Sequence, residues 1–111
     1  MTRVLLVDDD EDLAMLLCEQ LERFGLDMHS AFSLAEAKEK AAAGRFDVLI
    51  SDGHLYDGDA EEVAKAVPAR LRVLLSGSSA SNLEGFELVL LKPTTAQTLA
   101  DAIASRMNAT T

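Results

Sequence analysis

Five side chains capable of metal or phosphate chemistry each stand one or two positions after a short apolar run of the sequence. Carboxylates gathered in one place repel one another unless a proton or a cation comes between them. Mg²⁺ takes oxygen ligands, commonly one or two carboxylates together with phosphate oxygens and water. A hydroxyl and an ammonium beside such a cation can contact further phosphate oxygens. The residue types therefore predict a site for a phosphoryl group, built from Asp8, Asp9, Asp52, Ser76 and Lys92.

Five apolar runs predict the strands that would position these side chains, and helical patterns lie between them. Strand and helix alternate five times in 111 residues, about 22 residues a unit, which suits βα units with short loops. Successive apolar positions at Val4–Val7 and Val48–Ile50 are typical of central parallel strands covered on both faces. We therefore predict one three-layer α/β domain over residues 1–111. Its strands are expected at Arg3–Val7, Leu26–Ala31, Asp47–Ser51, Arg72–Leu75 and Glu87–Leu91.

The helices carry start and stop signals. Apolar residues at helical spacing predict the buried face of the first helix, which Gly25 closes; they are Leu13, Leu17, Leu21 and Phe24. Asp10, Glu11 and Asp12 are expected at the start of that helix, where carboxylates meet unpaired N–H groups. The second helix is predicted to begin at a capping box of Ser33 and Glu36 and to end at Gly44. A third helix is expected over Asp59 to Val67, where Pro68 ends it. The last helix is expected to begin near Thr94 or Thr95, with Gln97 in the capping-box position for Thr94.

The charge balance argues against several classes of function. The chain has 10 Lys and Arg against 19 Asp and Glu, a net charge of −9, and its sequence shows no cluster of basic residues. Binding to nucleic acid is therefore not expected. Cys18 is the only cysteine and cannot form an internal disulfide, and no apolar run approaches the ~20 residues that span a bilayer. We expect a soluble, cytoplasmic protein that does not enter a membrane.

The five reactive residues share one location in the predicted sheet. Each follows the exit of a predicted strand, and ligands of open parallel sheets bind beyond these carboxyl ends. The set, in this order, resembles the receiver domain of two-component response regulators over essentially the whole chain. The resemblance implies a flavodoxin-like fold with strand order 2-1-3-4-5. It also implies a single receiver domain over residues 1–111 with no effector domain, acting as a signalling module rather than an enzyme.

The resemblance also implies a role for each site residue. Asp52 would accept a phosphoryl group from a histidine kinase or a histidine phosphotransfer protein, in a reaction that depends on Mg²⁺. Ser76 and Lys92 would contact oxygens of that group, and the Lys92–Pro93 bond would be cis. The groups implied to hold Mg²⁺ are Asp9, Asp52 and the main-chain carbonyl of His54, with Asp8 orienting the ion through water. Output would pass through contacts with an unknown downstream protein.

Several positions depart from the usual receiver pattern. Tyr56 stands where a proline is common and Ala60 where a glycine is common, which questions the rigidity of the loop after Asp52. Val89 stands where an aromatic residue usually couples to the hydroxyl residue. Only ten residues, 77–86, are left for a loop, a helix and a return loop, and residues 78–82 are rich in turn formers. A fourth helix of one or two turns, or none, is expected, with an atypical output surface.

Two other functions remain open from the sequence. One is a receiver-like interaction module that is not phosphorylated, which Val89 and Tyr56 suggest. The other is a haloacid-dehalogenase-like phosphatase using Asp8 and Asp10, although no acidic pair follows the lysine and Asp52 would then have no role. His54 could be an exposed loop residue or could influence attack of water on the phosphoryl group, and exposure is favoured slightly.

Overall fold

The computed structural model describes residues 1–77 and 85–108. The short fourth helix predicted after Ser76 falls mainly on residues 78–84, outside the described residues. The strands are β1 Arg3–Val7, β2 Asp27–Ala31, β3 Val48–Asp52, β4 His54–Leu55, β5 Gly58–Asp59, β6 Leu71–Ser76 and β7 Leu88–Leu91. The helices are α1 Glu11–Glu22, α2 Leu34–Ala43, α3 Ala60–Ala66 and α4 Ala96–Asn108.

Five parallel strands form the main sheet in the order β2-β1-β3-β6-β7, which confirms the predicted order 2-1-3-4-5. Side chains of β1 alternate between two buried clusters. Val4 and Leu6 pack on the side of α1 and α4, while Leu5 and Val7 pack on the side of α2 and α3. The sheet is therefore covered on both faces, as the apolar runs predict. The additional hairpin of β4 and β5 was not predicted.

The buried face of α1 differs from the predicted one. Leu17 and Leu21 are buried as expected, but Leu13 is 38% exposed and Phe24 is 45% exposed. Ala14 takes the inward position instead, one residue after Leu13. The stripe that faces the sheet thus runs through Ala14 and the two leucines at the 3–4 residue spacing of a helix. Phe24 lies beyond the last helical residue, so helical spacing no longer sets its direction.

Glycine closes α1 as predicted. Gly25 has a φ of +84°, in the left-handed region that other residues rarely adopt.

The start of α2 satisfies only half of the predicted capping box. The Ser33 hydroxyl accepts the Glu36 N–H at 3.0 Å. The Glu36 carboxylate, however, accepts the N–H of Phe32 at 2.7 Å, one residue earlier than a capping box requires. A complete capping box occurs instead at α3, between Asp59 and Glu62.

The start of α4 lies one residue later than a cap at Thr94 would place it. The hydroxyl of Thr95 accepts the N–H of Thr98 at 3.1 Å, so Thr95 is the capping residue. Gln97 donates to Asp101 at 2.9 Å along the helix surface. Throughout residues 1–77 and 85–108, none of the helices combines the length and the apolar character needed to cross a membrane.

Candidate functional site

The carboxyl edge of the sheet brings the predicted residues together. Asp52 ends β3, the central strand, and Ser76 ends β6 beside it. Asp8 follows β1 on the other side of β3, and Lys92 follows β7. Parallel register thus places residues that are up to 84 positions apart at one edge.

Three carboxylates form the centre of the site. One oxygen each from Asp8, Asp9 and Asp52 lie within 4.8 Å of one another. Asp8 is buried, Asp52 is half-buried and Asp9 is exposed, so the group opens to solvent on one side. This arrangement suits a hard divalent cation that keeps several waters.

The buried carboxylate of Asp8 has one oxygen with a hydrogen-bond partner and one without. Its Oδ1 accepts the N–H of Asp10 at 3.0 Å. Its Oδ2 is buried and has no hydrogen-bond partner in the described part of the chain. Burial raises the pKa of Asp8, and the charge of Asp52 raises it further, against the lowering effect of the Asp10 N–H. A cation between the carboxylates would satisfy the orphaned oxygen, so the donor set fits Mg²⁺.

Asp52 and Lys92 form a close ion pair. The Lys92 Nζ lies 2.6 Å from Asp52 Oδ1, and the N–H of Gly53 donates to the same oxygen at 2.9 Å. Both donors therefore converge on Oδ1 of Asp52. The strand end is fixed further by Ser51, whose hydroxyl donates to the Asp52 carbonyl at 2.9 Å.

A cleft of about 590 Å³ opens beside this ion pair. Ser76 is only 4% exposed and lines the cleft together with Gly77 and Lys92. The N–H of Lys92 donates to the Ser76 carbonyl at 2.7 Å, which joins the strand ends that carry the hydroxyl and the ammonium. The Lys92–Pro93 peptide bond is cis, as the resemblance implies.

His54 lies on the wall of the same cleft. It belongs to β4, pairs with Asp59 of β5, and has an exposed side chain. The favoured expectation of an exposed His54 is confirmed. Its carbonyl as a metal ligand stays a prediction.

Asp10 is occupied elsewhere. It is the N-cap of α1, and its Oδ1 accepts the N–H of Leu13 at 3.1 Å. The three-carboxylate group contains Asp8, Asp9 and Asp52 but not Asp10. An Asp8–Asp10 pair of the phosphatase type is therefore not assembled.

Sequence reasoning missed how the loop after Asp52 is held. The carboxylate of Asp57 accepts the N–H groups of Leu34 at 2.8 Å and Ala35 at 3.1 Å, at the start of α2. These hydrogen bonds hold the pKa of Asp57 below its ordinary value. A lone aspartate 23 residues from its partner leaves no pattern in the sequence. Sequence reasoning also did not assign six residues that line the cleft: Gly53, Asp59, Ala60, Glu61, Leu74 and Phe86.

Comparisons with known proteins agree with this fold. No family model matches the chain. The chain is 39% identical over 56 residues to the swarming motility regulation protein RssB of Serratia marcescens, which covers 50% of this chain and 26% of that protein. It is 35% identical over 68 residues to the response regulator protein PilR of Pseudomonas aeruginosa, covering 61% of this chain and 15% of that protein. The chain therefore spans about a quarter or less of the length of these relatives.

Solved structures match over nearly the whole chain. The Francisella response regulator 1452 receiver domain superposes with a TM-score of 0.86 at 22% identity, covering 100% of both chains. The chemotaxis protein CheY4 of Vibrio cholerae superposes with a TM-score of 0.85 at 26% identity, covering 95% of this chain and 98% of that one. TrrA of Thermotoga maritima, solved in complex with Mg²⁺-BeF, gives a TM-score of 0.82 at 24% identity, with coverage of 95% and 98%.

The fold and the acidic edge define a CheY-like α/β module. The chain has the fold of response regulator receiver domains, and its sequence is similar to those of response regulators of two-component systems. This similarity agrees with the expectation, made from the sequence, of a signalling module rather than an enzyme.

Proposed function

We propose that this receiver accepts a phosphoryl group on Asp52 in a Mg²⁺-dependent reaction, from a phosphohistidine of a histidine kinase or a histidine phosphotransfer protein. The observation that carries the proposal is the close Asp52–Lys92 ion pair beside the carboxylates of Asp8 and Asp9. We further propose that residues 1–111 act as one cytoplasmic receiver domain whose output is contact with a downstream protein.

The chemistry needs a carboxylate nucleophile. An Asp52 oxygen forms a bond to phosphorus while the phosphorus–nitrogen bond of the phosphohistidine breaks and the imidazole leaves with that electron pair. The difficulty is the approach of an anionic phosphoryl group to an anionic edge. Lys92 supplies a positive charge already in contact with Asp52, at 2.6 Å. Its ammonium can follow the developing charge onto a phosphoryl oxygen.

Ser76 and the cation would supply the other contacts to the phosphoryl group. Ser76 lines the cleft, and its hydroxyl would donate to a second phosphoryl oxygen. Asp9, Asp52 and the carbonyl of His54 would hold Mg²⁺, and Asp8 would orient the ion through water. When bound, the ion would neutralise carboxylate charge and shield the incoming phosphoryl oxygens. The buried, unpartnered Oδ2 of Asp8 supports this assignment, and a Mg²⁺-BeF complex is known for the similar protein TrrA.

Labelling with acetyl phosphate tests the proposal directly. We expect the wild-type chain with Mg²⁺ to gain the mass of one phosphoryl group, removable by hydroxylamine as acyl phosphates are. Asp52→Asn should not label, and labelling should stop when the metal is chelated. Asp101→Asn is the matched control, because Asp101 is an exposed aspartate on α4. Equal labelling of Asp52→Asn and wild type would refute the assignment of Asp52.

An unphosphorylated interaction module is the second candidate, because Val89 replaces the usual aromatic residue and is half-buried against the core on the α2 and α3 side. Beryllofluoride, which mimics an acyl phosphate, separates the two candidates when added with Mg²⁺. NMR shifts of the amides of Asp9, Gly53, Gly77 and Lys92 would support phosphorylation. An unchanged spectrum would favour the module.

A further inference from the structure

A second cleft, of about 570 Å³, lies at the amino edge of the sheet, opposite the carboxylates. It is bordered by the end of α2 at Gly44, the start of β3, and the connection from α3 to β6. Its volume falls within the ~300–1,000 Å³ usual for small-molecule sites. The basic residues that line it are Arg45, Arg70 and Arg72.

The folded chain concentrates positive charge here although the sequence shows no basic cluster. Three of the six arginines of a chain with net charge −9 line one cleft, because the strand starts bring positions 45, 70 and 72 together. Asp47 is the one acidic residue among those lining the cleft, and its Oδ2 accepts the N–H of Arg3 at 2.8 Å. Glu87 pairs with Arg72 at 3.9 Å.

Arg72 is the member of the set with an unmet donor. Its Nε is buried and has no hydrogen-bond partner among the described residues. Buried donors are nearly always satisfied by protein, water or a ligand. An anionic oxygen would satisfy this one, since guanidinium groups bind phosphate and carboxylate oxygens in pairs.

The carboxyl ends of α2 and α3 border the cleft, and their partial negative charge attracts cations. This attraction alone would explain arginines near the helix ends, at positions 45 and 70. It does not explain Arg72, which projects from β6 with a buried, unpartnered Nε.

The rest of the wall is apolar. Ala41, Phe46, Pro68 and Ala69 line the cleft beside the guanidinium groups. A charged part and an apolar part within one small volume suit a ligand that has both.

We propose that this cleft binds a small molecule with a phosphate group on a planar, weakly polar body, the chemistry of a nucleotide. The Arg45, Arg70 and Arg72 guanidinium groups take the phosphate, and the apolar wall takes the ring. The site is independent of phosphorylation at Asp52, because it lies at the opposite edge of the sheet.

NMR titration with adenosine monophosphate, without Mg²⁺, tests the proposal on the whole chain. We expect the amide signals of residues 44–47 and 69–72 to shift, with weaker shifts of the same signals by inorganic phosphate and none by adenosine. Arg45→Gln with Arg70→Gln should weaken binding at least tenfold. Arg106→Gln, on α4, removes the same charge elsewhere and should leave the affinity unchanged.

Each other outcome decides against the proposal. Shifts spread over all charged regions, or equal affinities of the double variant and Arg106→Gln, would mean nonspecific attraction. Tighter binding of a hexaglutamate peptide than of adenosine monophosphate would assign the cleft to an acidic protein segment. If the double variant unfolds, Arg45→Gln alone is the test, because Arg45 is exposed and its loss should still weaken binding severalfold.

Discussion

Replacing Asp8 by asparagine should stabilise the metal-free protein while impairing its response to Mg²⁺. Asp8 is 1% exposed, its Oδ2 is buried without a partner, and it shares a 4.8 Å cluster with Asp9 and Asp52. Asparagine has nearly the same shape and keeps an oxygen that can accept the Asp10 N–H. Its amide can also donate to a neighbouring carboxylate, where wild type has two like charges.

The expected gain follows from the cost of the buried oxygen. A buried unsatisfied polar group costs ~1–3 kcal/mol, and asparagine relieves part of that cost. We expect Asp8→Asn to raise the free energy of unfolding by about 1 kcal/mol without metal, or Tm by about 4 °C for a domain of this size. Mg²⁺ at ten times its Kd should stabilise wild type by about 1.4 kcal/mol, and most of this gain should vanish in the variant. The difference in stability between Asp8→Asn and wild type should therefore narrow or reverse when Mg²⁺ is added.

Thermal melts followed by circular dichroism, with Mg²⁺ and with a chelator, measure both effects. Asp12→Asn is the control, because Asp12 is an exposed carboxylate in the first turn of α1 and lies outside the cluster. It should not raise Tm and should leave the Mg²⁺ response intact. An Asp8→Asn protein that is less stable than wild type without metal, or equally stabilised by Mg²⁺, would show that the buried carboxylate is satisfied in another way.

Three further predictions concern stability and reactivity away from the cluster. Asp57→Asn should lower Tm at pH 7, because a carboxyl group with a lowered pKa contributes stability while it is ionised. The Tm difference from wild type should fade as pH falls below the ordinary pKa of 3.8, which thermal melts across pH will measure. Leu99→Ala should cost about 2–5 kcal/mol in urea unfolding, since Leu99 is fully buried, whereas Leu91→Ala, at a site 52% exposed, should cost about 0.5 kcal/mol or less. Burial raises the pKa of the Cys18 thiol to about 11. At pH 8, iodoacetamide should therefore modify Cys18 far more slowly than it modifies the thiol of free glutathione, until urea unfolds the chain.

The sheet and its carboxyl edge were predictable because both follow from local patterns. Successive apolar residues in β1 and β3 require cover on both faces, and the carboxyl ends of parallel strands meet at one edge. Asp8, Asp52, Ser76 and Lys92 can therefore be grouped from the sequence alone. The face of α1 was less certain, because Leu13 and Ala14 are adjacent and both apolar, and packing against the sheet selected the smaller one.

Contacts between distant segments could not be predicted in the same way. Arg45, Arg70 and Arg72 cluster because β3 and β6 start side by side, and no spacing in the sequence reports that neighbourhood. Likewise, the choice of Phe32 rather than Ser33 as the partner of Glu36 depends on the path of the chain entering α2. Such details are set by tertiary packing, which overrides local capping preferences.

The loop after Asp52 shows how a departure from the usual receiver pattern is compensated. Tyr56 removes the stiffness that a proline would supply, and it is 79% exposed, so its side chain adds little packing. The loop is instead held by pairing of β4 with β5, by the N–H of Ala60 donating to the Gly53 carbonyl at 3.3 Å, and by Asp57 bonded to the start of α2. Because Gly53 also donates to Asp52, the tether on α2 reaches the proposed phosphoacceptor through a continuous run of hydrogen-bonded backbone. Loss of Asp57 should therefore loosen Asp52 as well as destabilise α2.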